Sequence, residues 1–124
     1  MTTLLPFPGL VVKSEWADQV TTGPYDAYTP EQRTSISEEN PYSFLNVTKS
    51  REDLPEELRE DVGSLLDSCS EAMQRLYDAD VYNSHDEVSL FLYRLEINDH
   101  DQTGVMGLFP VTNDDDKNIL RHEE

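Results

Sequence analysis

The sequence predicts an α+β fold, in which a mixed or antiparallel sheet with a β-hairpin packs on one long amphipathic helix. Two patterns indicate this fold. Apolar residues recur every three or four positions through residues 58–76, as they do on the buried face of a helix. Two runs rich in branched and aromatic residues, 88–97 and 103–111, flank a short polar segment, which is typical of a hairpin.

Short elements are predicted at the start of the chain. The apolar residues 9–12 fit a short strand, and Ser14 can cap a brief helix that reaches Val20. Residues 21–26 have neither a helical nor an alternating period, and Pro24 biases the residue before it away from helical backbone. This segment is therefore predicted to be a loop.

The next helix carries strong start signals. Thr29 is in the N-cap position, Pro30 in the first helical position, and Gln32 where a capping box reaches back to the cap. The helix should end before Asn40-Pro41, because the residue preceding a proline disfavours helical backbone. The apolar segment Tyr42–Val47 then predicts a short buried strand.

The long helix is predicted over Pro55–Tyr77, with Asp53 as its cap. Cys69 lies on the apolar stripe, where a free thiol behaves as a small buried hydrophobe. If Leu66 is fully buried, Leu66→Ala should cost about 2–5 kcal/mol of stability. The predicted core stripe consists of Leu58, Val62, Leu66, Cys69, Met73 and Leu76.

A turn-rich stretch over 78–87 leads into the hairpin, whose two runs are joined by the polar residues 98–101. Pro110 should lie at a strand end or edge, since it cannot donate to a ladder. The acidic run 114–116 is predicted to be a solvated turn rather than a cation site.

The charge balance argues against two classes of partner. Nine Lys and Arg residues stand against 26 Asp and Glu residues, which gives a formal net charge of -17. A field of this sign repels phosphate backbones and anionic lipid headgroups. We therefore expect neither nucleic acid nor a membrane surface as a partner.

Compartment signals favour a soluble cytoplasmic protein. The single cysteine permits no internal disulfide. The N-terminus lacks a basic region followed by a long apolar segment, and no later run approaches the ~20 apolar residues that span a bilayer. The oligomeric state stays open.

The chain ends on a charged cluster. Arg121, His122, Glu123 and Glu124 directly follow an apolar pair, with no closing element after them. We interpret the cluster as the first half of a polar site that continues in a longer protein, so that 1–124 is a single N-terminal domain or part of one. Adjacent helical side chains point about 100° apart, so His122 and Glu123 are not predicted to share a metal ion.

A series of motifs runs along the whole chain: Pro6-Phe7-Pro8-Gly9-Leu10, Pro24-Tyr25-Asp26, Thr29-Pro30-Glu31, Asn40-Pro41-Tyr42-Ser43-Phe44-Leu45-Asn46-Val47, Tyr93-Arg94, Gln102-Thr103-Gly104-Val105 and Ile119-Leu120-Arg121-His122-Glu123. Their order resembles that of a bacterial and archaeal family known as domain of unknown function 1015, and the order is far more specific than any one motif. Members are usually longer, so the chain resembles an N-terminal fragment. It departs at Ala27-Tyr28, where the family commonly has Val and an aliphatic residue.

The resemblance implies a fold and an activity. The family is often labelled ParB-like and is similar to a group that includes ParB nucleotide-binding domains, sulfiredoxin and free-serine kinases. It thereby implies a ParB- or sulfiredoxin-like fold, a nucleotide with Mg²⁺ as cofactor, and phosphoryl transfer to a small hydroxyl-bearing metabolite such as serine. A non-catalytic module that binds a nucleotide or amino-acid metabolite is the alternative.

The resemblance also implies roles for particular residues. In that group a polar motif near a helix N-terminus handles nucleotide phosphates. By analogy Arg121 and His122 contact phosphate or substrate oxygens and Tyr25 contacts substrate. A carboxylate, Asp26 or Glu123, accepts a hydroxyl proton or holds Mg²⁺.

Each role in the loop has a structural rival. Asp26 can instead brace the local backbone, as Asp before a helix often does, and Tyr25 can be a packing residue. Both polar motifs lie at helix starts, where backbone amides are exposed. We therefore expect Asp26 and His122 to lie near one another and to form one pocket.

Overall fold

The computed structural model describes residues 3–110, which contain both α-helices and antiparallel strands, so the predicted α+β class is confirmed. The chain divides into two compact units. One is Val11–Asn83, here called the helical unit. The other, here called the strand unit, is described over residues 3–10 and 84–110. No helix within residues 3–110 is long and apolar enough to cross a membrane.

The helical unit holds three α-helices: α1 (Ala17–Val20), α2 (Pro30–Glu39) and α3 (Val62–Asp78). Single turns of 3₁₀ helix connect them at Ser14–Trp16, Tyr25–Ala27, Phe44–Asn46, Arg51–Asp53 and Glu56–Leu58. The strands are β1 (Phe7–Val12), β2 (Tyr82–Ser89), β3 (Phe91–Ile97) and β4 (His100–Met106). β1 pairs with β2, and β3 pairs with β4.

The start of α2 forms as predicted. The Thr29 hydroxyl accepts a hydrogen bond from the backbone N–H of Gln32 at 3.3 Å, and the Gln32 side chain accepts one from the N–H of Thr29 at 2.9 Å. This is a complete capping box, with Pro30 in the first turn. The helix ends at Glu39, directly before the predicted boundary.

The start of α3 differs from the prediction. The cap is Asp61, whose carboxylate accepts hydrogen bonds from the Ser64 hydroxyl at 2.7 Å and from the N–H groups of Gly63 and Ser64 at 2.9 and 3.3 Å. The hydrogen bond from the Ser64 hydroxyl, followed by those from the two backbone amides, lowers the pKa of the Asp61 carboxyl. The segment after Pro55 forms a separate 3₁₀ turn, so the predicted start with Asp53 as cap is wrong.

Only the C-terminal part of the predicted stripe is buried. Leu76 is 1% exposed, whereas Leu66 is 63% exposed. Cys69 and Met73 are half-buried, and Leu58 and Val62 are exposed. Leu66 is therefore not a core residue of the described structure, and the buried residues of α3, Ala72 and Leu76, lie in its C-terminal half. That core is built on Val20, Leu76 and Val81, with Val12, Trp16, Tyr42, Phe44, Val47 and Met73 packed against it.

Two further local predictions are wrong. Ser14 is the first residue of a 3₁₀ turn rather than its cap, and no side chain caps that turn. The strand predicted over Tyr42–Val47 is a 3₁₀ turn, because the Ser43 hydroxyl accepts a hydrogen bond from the N–H of Leu45 at 3.4 Å and turns the backbone. The burial expected of this segment is real, since Leu45 is 2% exposed.

The predicted hairpin is confirmed, with a tighter turn. β3 and β4 pair antiparallel from Phe91↔Met106 to Ile97↔His100, which leaves a two-residue turn. Asn98, the first turn residue, has φ 53°, a left-handed conformation that Asn tolerates better than most residues. β2 occupies much of the stretch predicted as turns. Packing of the hairpin on α3 stays a prediction, since the two elements belong to different units.

Candidate functional site

The structure describes two of the five predicted site residues. Tyr25 and Asp26 lie in the 3₁₀ turn between α1 and α2. Arg121, His122 and Glu123 lie outside the described residues, so their roles, and the predicted proximity of Asp26 and His122, stay predictions.

Short local hydrogen bonds shape the 3₁₀ turn Tyr25–Ala27, here called the Tyr25 turn. The N–H of Ala27 donates to the carbonyl of Pro24 at 3.0 Å, and that of Tyr28 to the carbonyl of Tyr25 at 3.3 Å. The Tyr28 hydroxyl accepts a hydrogen bond from the N–H of Gly23 at 3.2 Å. A side chain at position 23 would begin 2.8 Å from that hydroxyl, so the small residue lets the Tyr28 ring close over the loop.

Arg33 of α2 holds this turn in place. Its side chain is buried, and its Nε donates to both carboxylate oxygens of Asp53, at 2.8 and 3.1 Å. Its Nη1 donates to the carbonyl of Tyr28 at 2.8 Å and to that of Tyr25 at 3.2 Å. One guanidinium thus ties the loop that carries Asp26 to the 3₁₀ turn that carries Asp53.

The remaining donors of Arg33 are also engaged. Its Nη2 lies 3.3 Å from the hydroxyl of Ser50 and 3.5 Å from the carboxylate of Glu52. The hydrogen bond to Asp53 raises the pKa of Arg33, and the charges of Asp53 and Glu52 act in the same direction against the effect of burial. Arg33 is therefore a permanently charged structural anchor whose donors are not free for a ligand.

A cleft opens beside this anchor, with a volume of about 540 Å³, and is here called the Asp26 cleft. Asp26 and Arg51 are exposed in it, and neither side chain makes a hydrogen bond to another residue within 3–110. The cleft therefore offers a carboxylate and a guanidinium to a ligand. Its lining consists of Tyr25, Asp26, Tyr28, Pro30, Arg33, Ser50, Arg51 and Glu52.

The N-terminus of α2, beside the cleft, does not offer free amides. Thr29 and Gln32 satisfy each other's N–H groups, and Pro30 has none. Hydrogen bonds from its own backbone N–H and then from the Thr29 hydroxyl lower the pKa of Glu31. A phosphate at this helix start would have to displace these contacts, so the described geometry lends no support to phosphate binding there.

The structural alternatives to a site role fit Asp26 and Tyr25 differently. Asp26 makes no hydrogen bond to the described backbone, so a role as a local brace has no contact to rest on. Tyr25 does pack, since the Cζ of Arg33 lies 6.0 Å from the centre of its ring, within reach of a cation–π contact. The ring is still 47% exposed and lines the cleft, so packing and ligand contact are compatible.

No group of three or more His, Cys, Asp or Glu side chains within residues 3–110 is arranged to hold a metal ion. Mg²⁺ in phosphoryl-transfer sites is often held by one or two carboxylates together with substrate phosphates. Two carboxylates, Asp26 and Glu52, line the Asp26 cleft and could supply such ligands to the Mg²⁺ that the resemblance implies.

Sequence reasoning missed the pairing of Arg33 with Asp53. The two residues are separated by 20 positions, and no local pattern links them. One signal was present: Arg33 is the fourth residue of a helix that lacks an apolar stripe, so a side chain other than an aliphatic one has to attach that helix to the unit.

Comparison with known proteins identifies a family. The sequence model of the family described as "Protein of unknown function (DUF1015)" matches residues 4–124, essentially the whole chain. No curated protein and no solved structure matches the chain.

Proposed function

This chain belongs to the DUF1015 family, and on that premise we propose that it supplies the acceptor side of a nucleotide-dependent phosphoryl-transfer enzyme. A small hydroxyl-bearing metabolite such as serine binds in the Asp26 cleft. The hydroxyl oxygen of the metabolite attacks the terminal phosphorus of a nucleoside triphosphate. Asp26 accepts the hydroxyl proton, and the nucleoside diphosphate leaves. General-base assistance of this kind contributes typically ~10²–10⁴-fold to a rate.

The observation that supports this proposal is the unengaged carboxylate of Asp26 on a fixed backbone. Arg33 holds the carbonyls on both sides of Asp26, at Tyr25 and Tyr28, while the carboxylate itself is exposed in the cleft. A general base needs a defined position and a free oxygen. A residue used only to brace the loop would instead point its carboxylate at neighbouring amides.

Arg51 suits the other end of the metabolite. It lines the same cleft, and its guanidinium makes no hydrogen bond to another described residue. Guanidinium groups bind carboxylate and phosphate oxygens with two parallel hydrogen bonds. In this arrangement Arg51 holds an anionic group of the metabolite while Asp26 meets the hydroxyl.

The second candidate is a module that binds the metabolite without turnover. The observation in its favour is that the described start of α2 has its amides engaged, so they are not free to bind a transferred phosphoryl group. Phosphoryl transfer leans strongly on metal ions and amide donors to neutralise charge. Binding alone needs neither.

The test measures binding and turnover on the same intact protein. L-serine affinity is measured by calorimetry, and nucleoside diphosphate release is measured with ATP and L-serine present. Asp26→Asn should lower kcat at least about a hundredfold, with little change in L-serine affinity or thermal midpoint. Asp67→Asn is the matched control, because Asp67 is an exposed carboxylate of the same unit that does not line the Asp26 cleft, and it should change none of these values.

Three results would contradict the proposed phosphoryl transfer or the proposed role of Asp26. Wild-type binding of L-serine without turnover, lost in Arg51→Gln, would establish the binding module in the Asp26 cleft. Neither binding nor turnover with any hydroxyl-bearing amino acid would refute both candidates. A lower thermal midpoint for Asp26→Asn with unchanged kcat would make Asp26 a structural residue.

A further inference from the structure

A second cavity, of about 240 Å³, lies in the helical unit and is here called the Lys49 cavity. The ion pair of Arg33 and Asp53 forms part of its wall. Arg33 also lines the Asp26 cleft, so this residue borders both spaces. The rest of the wall is polar: Thr34, Ser37, Glu38, Asn46 and Lys49.

Several polar groups of this wall have unused hydrogen-bonding capacity. The ammonium of Lys49 donates to the Ser68 hydroxyl at 2.9 Å, which uses one of its three N–H groups. Asn46 is 7% exposed, and its amide nitrogen donates to two backbone carbonyls at 3.2 Å, while its oxygen accepts no hydrogen bond from another residue within 3–110. The carboxylate of Glu38 likewise accepts none from the described residues.

The charges of the wall are balanced, in a chain whose formal net charge is -17. Arg33 and Asp53 neutralise each other at 2.8 Å, which leaves one cation, Lys49, and one anion, Glu38. A simple anion would leave Glu38 facing a like charge, and a simple cation would do the same to Lys49. A ligand that carries both charges meets each with its opposite.

We propose that the Lys49 cavity binds a small α-amino acid in its zwitterionic form. The carboxylate of the ligand accepts hydrogen bonds from Lys49 and from the hydroxyl of Ser37 or Thr34. Its ammonium donates to Glu38 and to the side-chain oxygen of Asn46. The cavity is smaller than the roughly 300–1,000 Å³ of sites for drug-sized ligands, which suits a ligand with a short side chain. This site is separate from the function proposed above and does not depend on it.

The test is a charge series measured by calorimetry on the intact protein. L-alanine carries both charges and no hydroxyl, N-acetyl-L-alanine keeps only the negative charge, and L-alanine methyl ester keeps only the positive one. We expect L-alanine alone to bind. Lys49→Gln and Glu38→Gln should each weaken its affinity at least about tenfold, as expected on losing a charge-assisted hydrogen bond.

Two controls separate the ligand site from effects on folding. Glu60→Gln changes an exposed carboxylate that lines neither the Lys49 cavity nor the Asp26 cleft and should leave L-alanine binding unchanged. Ser68→Ala removes the described partner of Lys49 but keeps the ammonium, so binding should persist. Far-UV circular dichroism checks that every variant is folded.

Three results would overturn the proposal. L-alanine could fail to bind at millimolar concentration, or both analogues could bind as well as L-alanine. Binding could also be lost in Arg51→Gln and kept in Lys49→Gln, which would place the amino acid in the Asp26 cleft. The last result would leave the function proposed for that cleft intact, so the two proposals fail separately.

Discussion

Replacing Arg33 by Met should destabilise the helical unit by about 3 kcal/mol, because removing one partner of a buried ion pair leaves the other charge uncompensated. The side chain of Asp53 is 8% exposed and would keep, among the contacts described, only the hydrogen bond from the N–H of Ser50 at 2.9 Å. The carbonyls of Tyr25 and Tyr28 would also lose their donor. The remaining Ser50 contact places the estimate at the lower end of the ~3–5 kcal/mol seen for broken buried pairs.

The assay is urea denaturation followed by the fluorescence of Trp16, the single tryptophan of the chain. Trp16 packs on Tyr42 with ring centres 5.1 Å apart, so its emission reports on the core of the same unit. The double variant Arg33→Met/Asp53→Leu should lose less stability than the sum of the single variants, with a coupling energy of at least ~1 kcal/mol. Two independent contributions would instead add.

An exposed ion pair provides the matched comparison. Arg94 lies 2.5 Å from Asp101, closer than Arg33 to Asp53, yet both side chains are at least half exposed. Solvent screens such a pair, so Arg94→Met should leave the denaturation midpoint, followed by circular dichroism, almost unchanged. If Arg33→Met were equally mild, or if the double variant were additive, the anchoring role of Arg33 would be refuted.

The other predictions concern packing, capping and the hairpin. Leu76→Ala should cost about 2–5 kcal/mol in urea denaturation, whereas Leu66→Ala should cost less than about 1 kcal/mol because Leu66 is exposed. The lowered pKa of Asp61 means that its contribution to stability is present above the ordinary carboxyl pKa and is lost as the pH falls through the lowered value, so Asp61→Asn should flatten the acid limb of a stability profile. Gly104→Ala should perturb the near-UV circular dichroism of the hairpin, because the new Cβ would overlap the Tyr93 ring; in a Tyr93→Ala background the same change should be tolerated.

Signals that act within a few residues predicted structure well. The capping box at Thr29 and Gln32 involves only the side chains and N–H groups of these two residues, and it formed as predicted. The cap assigned to Asp53 was wrong because its carboxylate is taken by Arg33, which the sequence gives no reason to pair with it. Asp61 then caps α3 in its place. A local motif is thus reliable only when no distant residue competes for the same atoms.

Burial and side-chain pairing explain the other differences between the predicted and the observed structure. β2 was not predicted because Tyr82–Ser89 is mostly polar and mostly exposed, so it lacks the alternation by which strands are recognised. The loop around Asp26 was predicted from its lack of period, and its role in a site from the resemblance to a family motif, while the cleft beside it depends on where Arg33 places the Tyr25 turn. Site geometry of this kind follows from side-chain pairing between segments, which periodicity does not report.

All the donor nitrogens of Arg33 are engaged, which also constrains how related sequences can diverge. Lysine at position 33 would supply a compact ammonium with three donors, where the structure uses a planar group to reach Asp53, Ser50 and the carbonyls of Tyr25 and Tyr28. A change at position 33 alone leaves the carboxylate of Asp53 without its ion-pair partner, and a change at position 53 alone does the same to the guanidinium of Arg33. We therefore expect the two positions to covary in an alignment, either kept as a charged pair or replaced together by apolar residues.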